Sequence, residues 1–159
     1  MATKQVNNIS FDEGIKEYTI NNDPDRVLRI NTSDISLLTR ADEAEKNIDA
    51  FMKRYDNIKI KADGTADTDD ETAYLAVKEI TEYVREQIDY IFNASVCNVV
   101  FGRANPLSTS KGVTLYERFL NAVMPIIRAD IEAENKEAQK RAEKYTKEAQ
   151  RFKNKVSKR

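Results

Sequence analysis

The side chains that could carry out chemistry are few in this sequence. Histidine is absent, and Cys97 is the single cysteine. A catalytic nucleophile paired with an imidazole, an internal disulfide and a multi-thiolate zinc site are therefore excluded. The four glycines are isolated from one another, so no glycine-rich loop that binds phosphate fits them. We expect a protein that is not an enzyme and that needs no cofactor.

An acidic segment at residues 62–71 invites a calcium-binding interpretation, because five of the nine residues 63–71 are Asp or Glu. The spacing argues against it. In a calcium loop that began at Asp63, the glycine position would hold Thr68 and the final glutamate position would hold Tyr74. Thr68 and the glutamate three residues later instead form a capping box at a helix start. We predict no metal site.

The C-terminal segment has the strongest pattern. Residues 136–159 contain ten Lys or Arg and three Glu, a net charge of +7, whereas residues 1–135 contain 16 positive and 24 negative groups, a net charge of −8. Apolar residues recur at alternating steps of four and three, which is the heptad spacing of a helix that packs against another helix. The candidate partner-binding residues are Ala138, Ala142, Tyr145, Ala149, Phe152 and Val156.

Three interpretations of this segment stay open. Clustered Lys and Arg bind nucleic-acid phosphates by releasing counterions, but the apolar stripe and the acidic remainder of the chain disfavour that function. A helix that lies in the groove of a partner, or pairs with another helix, accounts for both the stripe and the charge. The third interpretation is a solvated, Ala-rich tail that is helical only part of the time. The unbroken spacing favours the partner-binding helix.

The N-terminal part of the chain predicts a small β element over residues 6–30. Ile9 and Phe11 alternate with polar neighbours, and Tyr18 and Ile20 do so again after a turn. A second turn at residues 21–24 precedes a further short strand. Because a lone hairpin is marginally stable in water, we expect this element to pack on an apolar surface.

Two long helices are predicted to follow. The first, over residues 33–61, has Thr32 or Ser33 at its N-cap and a heptad stripe of three repeats. We interpret the stripe as packing within its own domain, although an intermolecular coiled coil has the same pattern. The second helix, over residues 69–100, ends in an apolar run in which Cys97 is expected to be a small core residue rather than a reactive thiol.

A third helix is predicted to begin at a capping box formed by Thr114 and Glu117, and Pro125 is expected to kink or break it. Its predicted inward positions are Tyr116, Phe119, Leu120, Val123, Ile126 and Ile127. The predicted fold class is therefore mainly α, with a small N-terminal β-hairpin element packed on a three-helix domain and a long C-terminal helical extension. The predicted division places the helical domain at residues 1–130 and the basic, heptad-patterned helix at residues 131–159.

The order of these segments resembles a known family. A short β segment precedes a helix start at residues 30–34, a helix ends near an Ile-Phe pair at residues 91–92, residues 100–107 read Val-Phe-Gly-Arg-Ala-Asn-Pro-Leu, and a last helix begins at residues 115–120. Over residues 9–128 this arrangement is similar to that of the tail assembly chaperones encoded by siphophages and myophages of Gram-positive bacteria. The most specific part is the Ile-Phe … Val-Phe-Gly-x-x-Asn-Pro pattern.

The resemblance implies a phage tail assembly chaperone that binds and solubilises the tape-measure protein in the host cytoplasm, until the major tail tube protein displaces it. The implied partners are proteins, and a homo-oligomer is a further expectation. No apolar run approaches the roughly 18 residues of a membrane span, and Met1–Ser10 contains no apolar signal core. We therefore expect a cytoplasmic protein. The alternative function is a structural virion or adaptor protein that oligomerises through its C-terminal helix.

Overall fold

The computed structural model of the protein describes residues 3–56 and 69–158. In chain order, its elements are β1 (Ile15–Ile20), β2 (Asp23–Asn31), α1 (Leu37–Met52) with a 3-10 turn (Lys53–Tyr55), α2 (Asp70–Phe92), α3 (Cys97–Phe101), β3 (Thr109–Ser110), β4 (Val113–Thr114) and α4 (Leu115–Ser157). The fold is mainly α, with a small N-terminal hairpin and a long C-terminal helix, which confirms the predicted fold class. The predicted end of the first helix, at residues 57–61, lies outside the described residues.

The N-terminal hairpin pairs β1 with β2 in antiparallel register, with Tyr18 opposite Leu28. Asn21 and Asn22 connect the strands, and both have positive φ angles, 51° and 61°. Two such residues form the type of turn whose twist matches that of the flanking strands, and asparagine tolerates it better than most residues do. Leu28 and Ile30 point from β2 into the core and are almost fully buried. The hairpin therefore packs on the helices, as predicted.

The predicted first strand of the β element is wrong. Ile9 and Phe11 are 85% and 74% exposed and belong to no strand. The Asp12 side chain accepts a hydrogen bond from the Gly14 backbone N–H at 2.8 Å, so an Asx turn closes the segment just before β1. Two apolar residues that bury so little surface cannot offset the entropy of ordering a strand.

The helix α1 begins four residues later than predicted, and Thr32 and Ser33 do not cap it. Two side chains redirect the backbone before the helix. Asn31 accepts from the Ser33 backbone N–H at 3.1 Å, and Asp34 accepts from the Ser36 backbone N–H at 3.0 Å. Such Asx turns compete with helix formation because they satisfy the same N–H groups. Thr32 is buried, and its hydroxyl faces the Gly14 carbonyl oxygen at 3.5 Å.

The predicted helix over residues 69–100 is divided into α2 and α3. Asn93 takes a left-handed conformation with a φ of 51° and ends α2. The Asp89 carboxylate then accepts hydrogen bonds from the backbone N–H groups of Val96 at 2.9 Å and Cys97 at 3.2 Å, which begins α3. At the other end of α2, Asp69 is the N-cap residue. The predicted cap, Thr68, lies outside the described residues, and the cap is one residue later than predicted.

Two arginines bind the carbonyl groups at the ends of these helices. Arg40 of α1 places Nε at 3.0 Å from the Tyr90 carbonyl oxygen and 3.1 Å from that of Ile91, both in the last turn of α2. Arg26 of β2 donates from Nε to the Val99 carbonyl oxygen in α3 at 2.9 Å. The last carbonyls of a helix lack the usual helical partner, although the Tyr90 carbonyl also accepts from the Asn93 backbone N–H at 3.2 Å. A cation is favoured at this negative end of the helix dipole.

The core lies where the hairpin, the three packed helices and the start of α4 meet. Phe101 and Phe92 pack on Phe119, with ring centroids 5.9 and 6.0 Å apart. Cys97 is buried, as predicted, and its thiol donates to the Arg85 carbonyl oxygen at 3.3 Å. Burial first, and then the hydrogen bond with Asp89, raise the pKa of Cys97 to about 12. The thiol is therefore protonated and unreactive at neutral pH.

The long helix α4 begins as predicted, because the Thr114 hydroxyl accepts a hydrogen bond from the Glu117 backbone N–H at 3.3 Å. Of the two outcomes predicted at Pro125, a kink or a break, the break is wrong, since α4 continues through it. Pro125 removes the helical hydrogen bond to the Asn121 carbonyl. Both residues are exposed, so water can satisfy that carbonyl. Ile126, predicted to point inward, is 42% exposed.

Replacing Phe101 tests the core. Phe101 is 4% exposed, and Phe101→Ala is expected to lower the free energy of unfolding by about 3–5 kcal/mol, measured by urea denaturation. Phe11→Ala removes an equally large ring that is exposed, and should change this free energy by less than about 0.5 kcal/mol. Equal losses for the two variants would contradict the burial of Phe101.

Replacing Asp89 tests the junction between α2 and α3. Asp89→Ala leaves two backbone N–H groups without their acceptor and is expected to lower the free energy of unfolding by about 1–2 kcal/mol. Asp89→Asn keeps a side-chain oxygen in the same place and should lose less. The prediction fails if the alanine variant is as stable as the asparagine variant in the same urea titration.

Candidate partner-binding surfaces

The second half of α4 projects beyond the core. Ile131 is the last residue of the helix that is half-buried, and every residue from 132 to 158 is exposed. We call residues 132–158 the C-terminal arm. At a rise of 1.5 Å per residue, the helical part of the arm is about 39 Å long. The arm is thus a single helix whose whole surface is exposed.

All six predicted partner-binding residues lie on this arm and are exposed. At about 100° per residue, they fall within a sector of about 80° on one face of the helix. The larger side chains are the most prominent, because Tyr145, Phe152 and Val156 are 58%, 70% and 59% exposed. Arg141 lies over the Tyr145 ring at 5.7 Å. The structure therefore brings the predicted residues together as one exposed stripe.

The arm has little within itself to stabilise it. Lys136 pairs with Glu132 at 3.4 Å and Lys140 with Glu137 at 3.3 Å, and all four side chains are about 70% exposed. Exposed pairs of this kind contribute only about 0.3–0.5 kcal/mol each. A helix that packs on nothing gains no stability from tertiary contacts, so contact with a partner would strengthen the arm.

A polar contact fixes the point at which the arm leaves the body. The Asp130 carboxylate accepts a hydrogen bond from the Tyr18 hydroxyl at 2.5 Å and lies 3.1 Å from the Lys16 ammonium. The hydrogen bond from Tyr18 is the main reason that the pKa of Asp130 is lowered, and the same bond raises the pKa of Tyr18 to about 12. The hairpin is thereby joined to the last packed turn of α4.

A groove of about 610 Å³ lies between α1 and α4. Its rim is acidic and has a single cation, and we call it the acidic groove. The charged residues of the rim are Asp42, Glu45, Asp49, Glu117 and Arg128. Apolar side chains form its floor, namely Leu38, Ala41, Ile48, Ile91, Tyr116, Leu120, Met124 and Pro125.

The sequence analysis missed the acidic groove. One pattern in the sequence could have predicted its acidic wall. Asp42, Glu45 and Asp49 follow at steps of three and four, which place all three carboxylates on one face of a helix. A second, apolar cleft of about 340 Å³ lies between the hairpin and α4, beside Tyr18, Phe119 and Ile126. Unlike this cleft, the acidic groove carries a strong negative charge.

Comparisons of the chain with protein-family models, curated proteins and solved structures find no match in any of the three. Within residues 3–56 and 69–158, no helix is both long and apolar enough to cross a membrane. In the same ranges, no three cysteine, aspartate or glutamate side chains converge to hold a metal ion. Most of the acidic segment at residues 62–71 lies outside those ranges, so the absence of a calcium site there stays a prediction.

The contact between Tyr18 and Asp130 predicts how stability depends on pH. Because the folded pKa of Asp130 is lowered, its contribution is complete above the ordinary carboxyl pKa and is lost as the pH falls through the folded value. Because the folded pKa of Tyr18 is raised from 10.0 to about 12, its contribution is complete below pH 10.0 and is lost as the pH rises through 12.

Melting temperatures across this pH range measure both effects. Tyr18→Phe should lower the melting temperature at neutral pH and flatten its decline above pH 10.0. Asp130→Asn should flatten the decline on the acid side. Tyr74→Phe removes the hydroxyl of a tyrosine that is 67% exposed, and should leave both limbs unchanged. If the melting temperature of Tyr18→Phe declined above pH 10.0 as steeply as that of the wild type, Tyr18 would not be the cause of that decline.

Proposed function

We propose that the protein is a phage tail assembly chaperone that binds and solubilises the tape-measure protein in the host cytoplasm. The observation that supports this most directly is the C-terminal arm, a helix whose apolar stripe is exposed along its length. The family resemblance over residues 9–128 supplies the class of client, which is a long, apolar and aggregation-prone protein. The arm offers that client an apolar face, while the charged residues on the rest of the helix keep it soluble.

The stripe provides contacts of a strength suited to reversible binding. Burying each of Tyr145, Phe152 and Val156 contributes about 1.5–3 kcal/mol, or about 5–9 kcal/mol together. The loss of translational and rotational freedom offsets several kcal/mol of this gain. A net gain of at most about 5 kcal/mol corresponds to a dissociation constant of about 0.2 mM or weaker for one arm. A chaperone that must later yield its client to the major tail tube protein needs contacts of this kind.

The second candidate is a structural virion or adaptor protein that oligomerises through the arm. The small side chains of Ala138, Ala142 and Ala149 favour it, because they allow two helix backbones to approach closely. The two functions differ in what each would do in solution. A structural component forms an assembly of fixed size without a client, whereas a chaperone changes the solubility of another protein.

Co-expression with the tape-measure protein of the same phage tests the proposal. We expect the wild-type chain to keep that protein in the soluble fraction and to co-purify with it. Tyr145→Asp with Phe152→Asp should abolish both effects, because two carboxylates in the stripe cannot be buried without a partner charge.

The matched control adds the same two negative charges to the opposite face of the arm. Gln150→Asp with Asn154→Asp places them about 120–160° from the centre of the stripe, where a bound client is not contacted. This control should retain the client. Equal loss in both double variants would show that charge, rather than the stripe, determines binding. A wild-type chain that forms a defined ring and captures no tape-measure protein would favour the structural alternative.

A further inference from the structure

We propose that the acidic groove between α1 and α4 binds the C-terminal arm of a second copy of this chain. The proposal shares the apolar stripe of the arm with the chaperone function, but it assigns a role to a different surface, which lies on the body.

The charges of the two surfaces are complementary. The rim of the groove carries four carboxylates and the Arg128 guanidinium, a net charge of −3. The segment at residues 136–159 has a net charge of +7. Asp42 already pairs with Lys46 at 2.9 Å, but both side chains are more than 60% exposed, so this pair is weak and can exchange partners.

The cations of the arm are placed where the rim can meet them. When the stripe faces the floor of the groove, Arg141 and Lys153 lie about 60° to either side of the centre of the stripe, and Lys155 lies about 100° away. Between Ala138 and Val156, the charged residue nearest the stripe is thus a cation on each side, and Glu148 lies about 80° away on the side of Arg141 and Lys155. Opposite charges that surround an apolar contact guide association and fix its register.

The dimensions of the two surfaces also match. The 16 residues of α1, which form one wall of the groove, span about 24 Å. The stripe from Ala138 to Val156 spans about 27 Å. In the groove, Leu38, Leu120 and Met124 are only partly buried, so they offer an apolar floor to the rings of Tyr145 and Phe152.

The occupant must come from another copy. The groove lies along the first part of α4, and the arm is the direct continuation of the same unbroken helix, from Leu115 through Ser157. The arm would have to fold back through a break in α4 to reach its own groove. Docking between copies is then either reciprocal, which gives a two-fold dimer, or head-to-tail, which gives a closed ring or an open chain of subunits.

Two full-length variants test the proposal. The groove variant carries Glu45→Lys with Asp49→Lys, and the arm variant carries Tyr145→Asp with Phe152→Asp. All four positions are exposed, and circular dichroism verifies that both variants are folded. Light scattering coupled to size-exclusion chromatography at low salt measures the mass of each. We expect the wild type to increase in mass with concentration, and each variant alone to associate at least about tenfold more weakly.

An equimolar mixture of the two variants is the decisive measurement. The groove variant keeps an intact arm, and the arm variant keeps an intact groove, so the mixture should form a dimer held by one interface and grow no further. Glu82→Lys with Glu86→Lys is the matched control, because it makes the same charge change at the same spacing on exposed positions of α2. This control should associate like the wild type.

Three outcomes would overturn the proposal: a wild type that stays monomeric at every concentration, a groove variant that associates as the wild type does, or a mixture that remains monomeric. The test is separable from that of the chaperone function. The groove variant should still capture the tape-measure protein through its intact arm, so loss of self-association with retained capture supports both. Failure of capture by the wild type, with the mixed dimer still formed, rejects the chaperone function alone.

Discussion

The end of α2 holds two other elements, α1 and α3, in place through charged side chains and backbone groups. The Arg40 guanidinium binds the last carbonyls of α2 and also the Asp34 carboxylate, 2.6 Å away, which precedes α1. This contact with Arg40 lowers the pKa of Asp34. In the same last turn of α2, the Asp89 carboxylate accepts the two backbone hydrogen bonds that begin α3. Because these groups would be costly to bury without partners, their bonds fix the positions of α1 and α3 relative to α2. The wall that α1 contributes to the acidic groove depends on this arrangement.

The chain separates its apolar residues and its charges between a body and an arm. The body has one buried apolar core and leaves some apolar side chains, such as Ile9 and Phe11, exposed, whereas every apolar side chain of the arm is exposed. The charges differ in sign between the two parts. The two proposed partners of the arm would contact the same stripe, so an arm that lies in the groove of a neighbour cannot hold a client at the same time. Self-association and client binding are then competing equilibria that share one surface.

The features that the sequence predicted correctly are those set by local patterns. The fold class, the cap at Thr114 and the turn at Asn21 and Asn22 follow from periodicity and from the preferences of single residues. The six residues of the stripe were also predicted to share a helical face, and they do so on an exposed helix.

The wrong predictions of helix starts and ends arose where a side chain binds backbone groups elsewhere in the chain. The periodic pattern of the sequence does not show such hydrogen bonds. Asn31 and Asp34 delay the start of α1, and Asp89 reaches seven and eight residues along the chain to begin a new helix. Pro125 is tolerated because the carbonyl that it leaves unpaired belongs to an exposed residue. The acidic groove could not be predicted, because its two walls are far apart in the sequence and only the tertiary structure makes them neighbours.

The length of the stripe sets a footprint. An arm laid along a helical client would cover about 27 Å of it, from the contact of Ala138 to that of Val156, which corresponds to about 18 client residues. Copies bound side by side would then divide the client into segments of this size. The number of chaperone copies for each client molecule would rise in proportion to the length of the client, so the stoichiometry of the complex would itself report how long the client is.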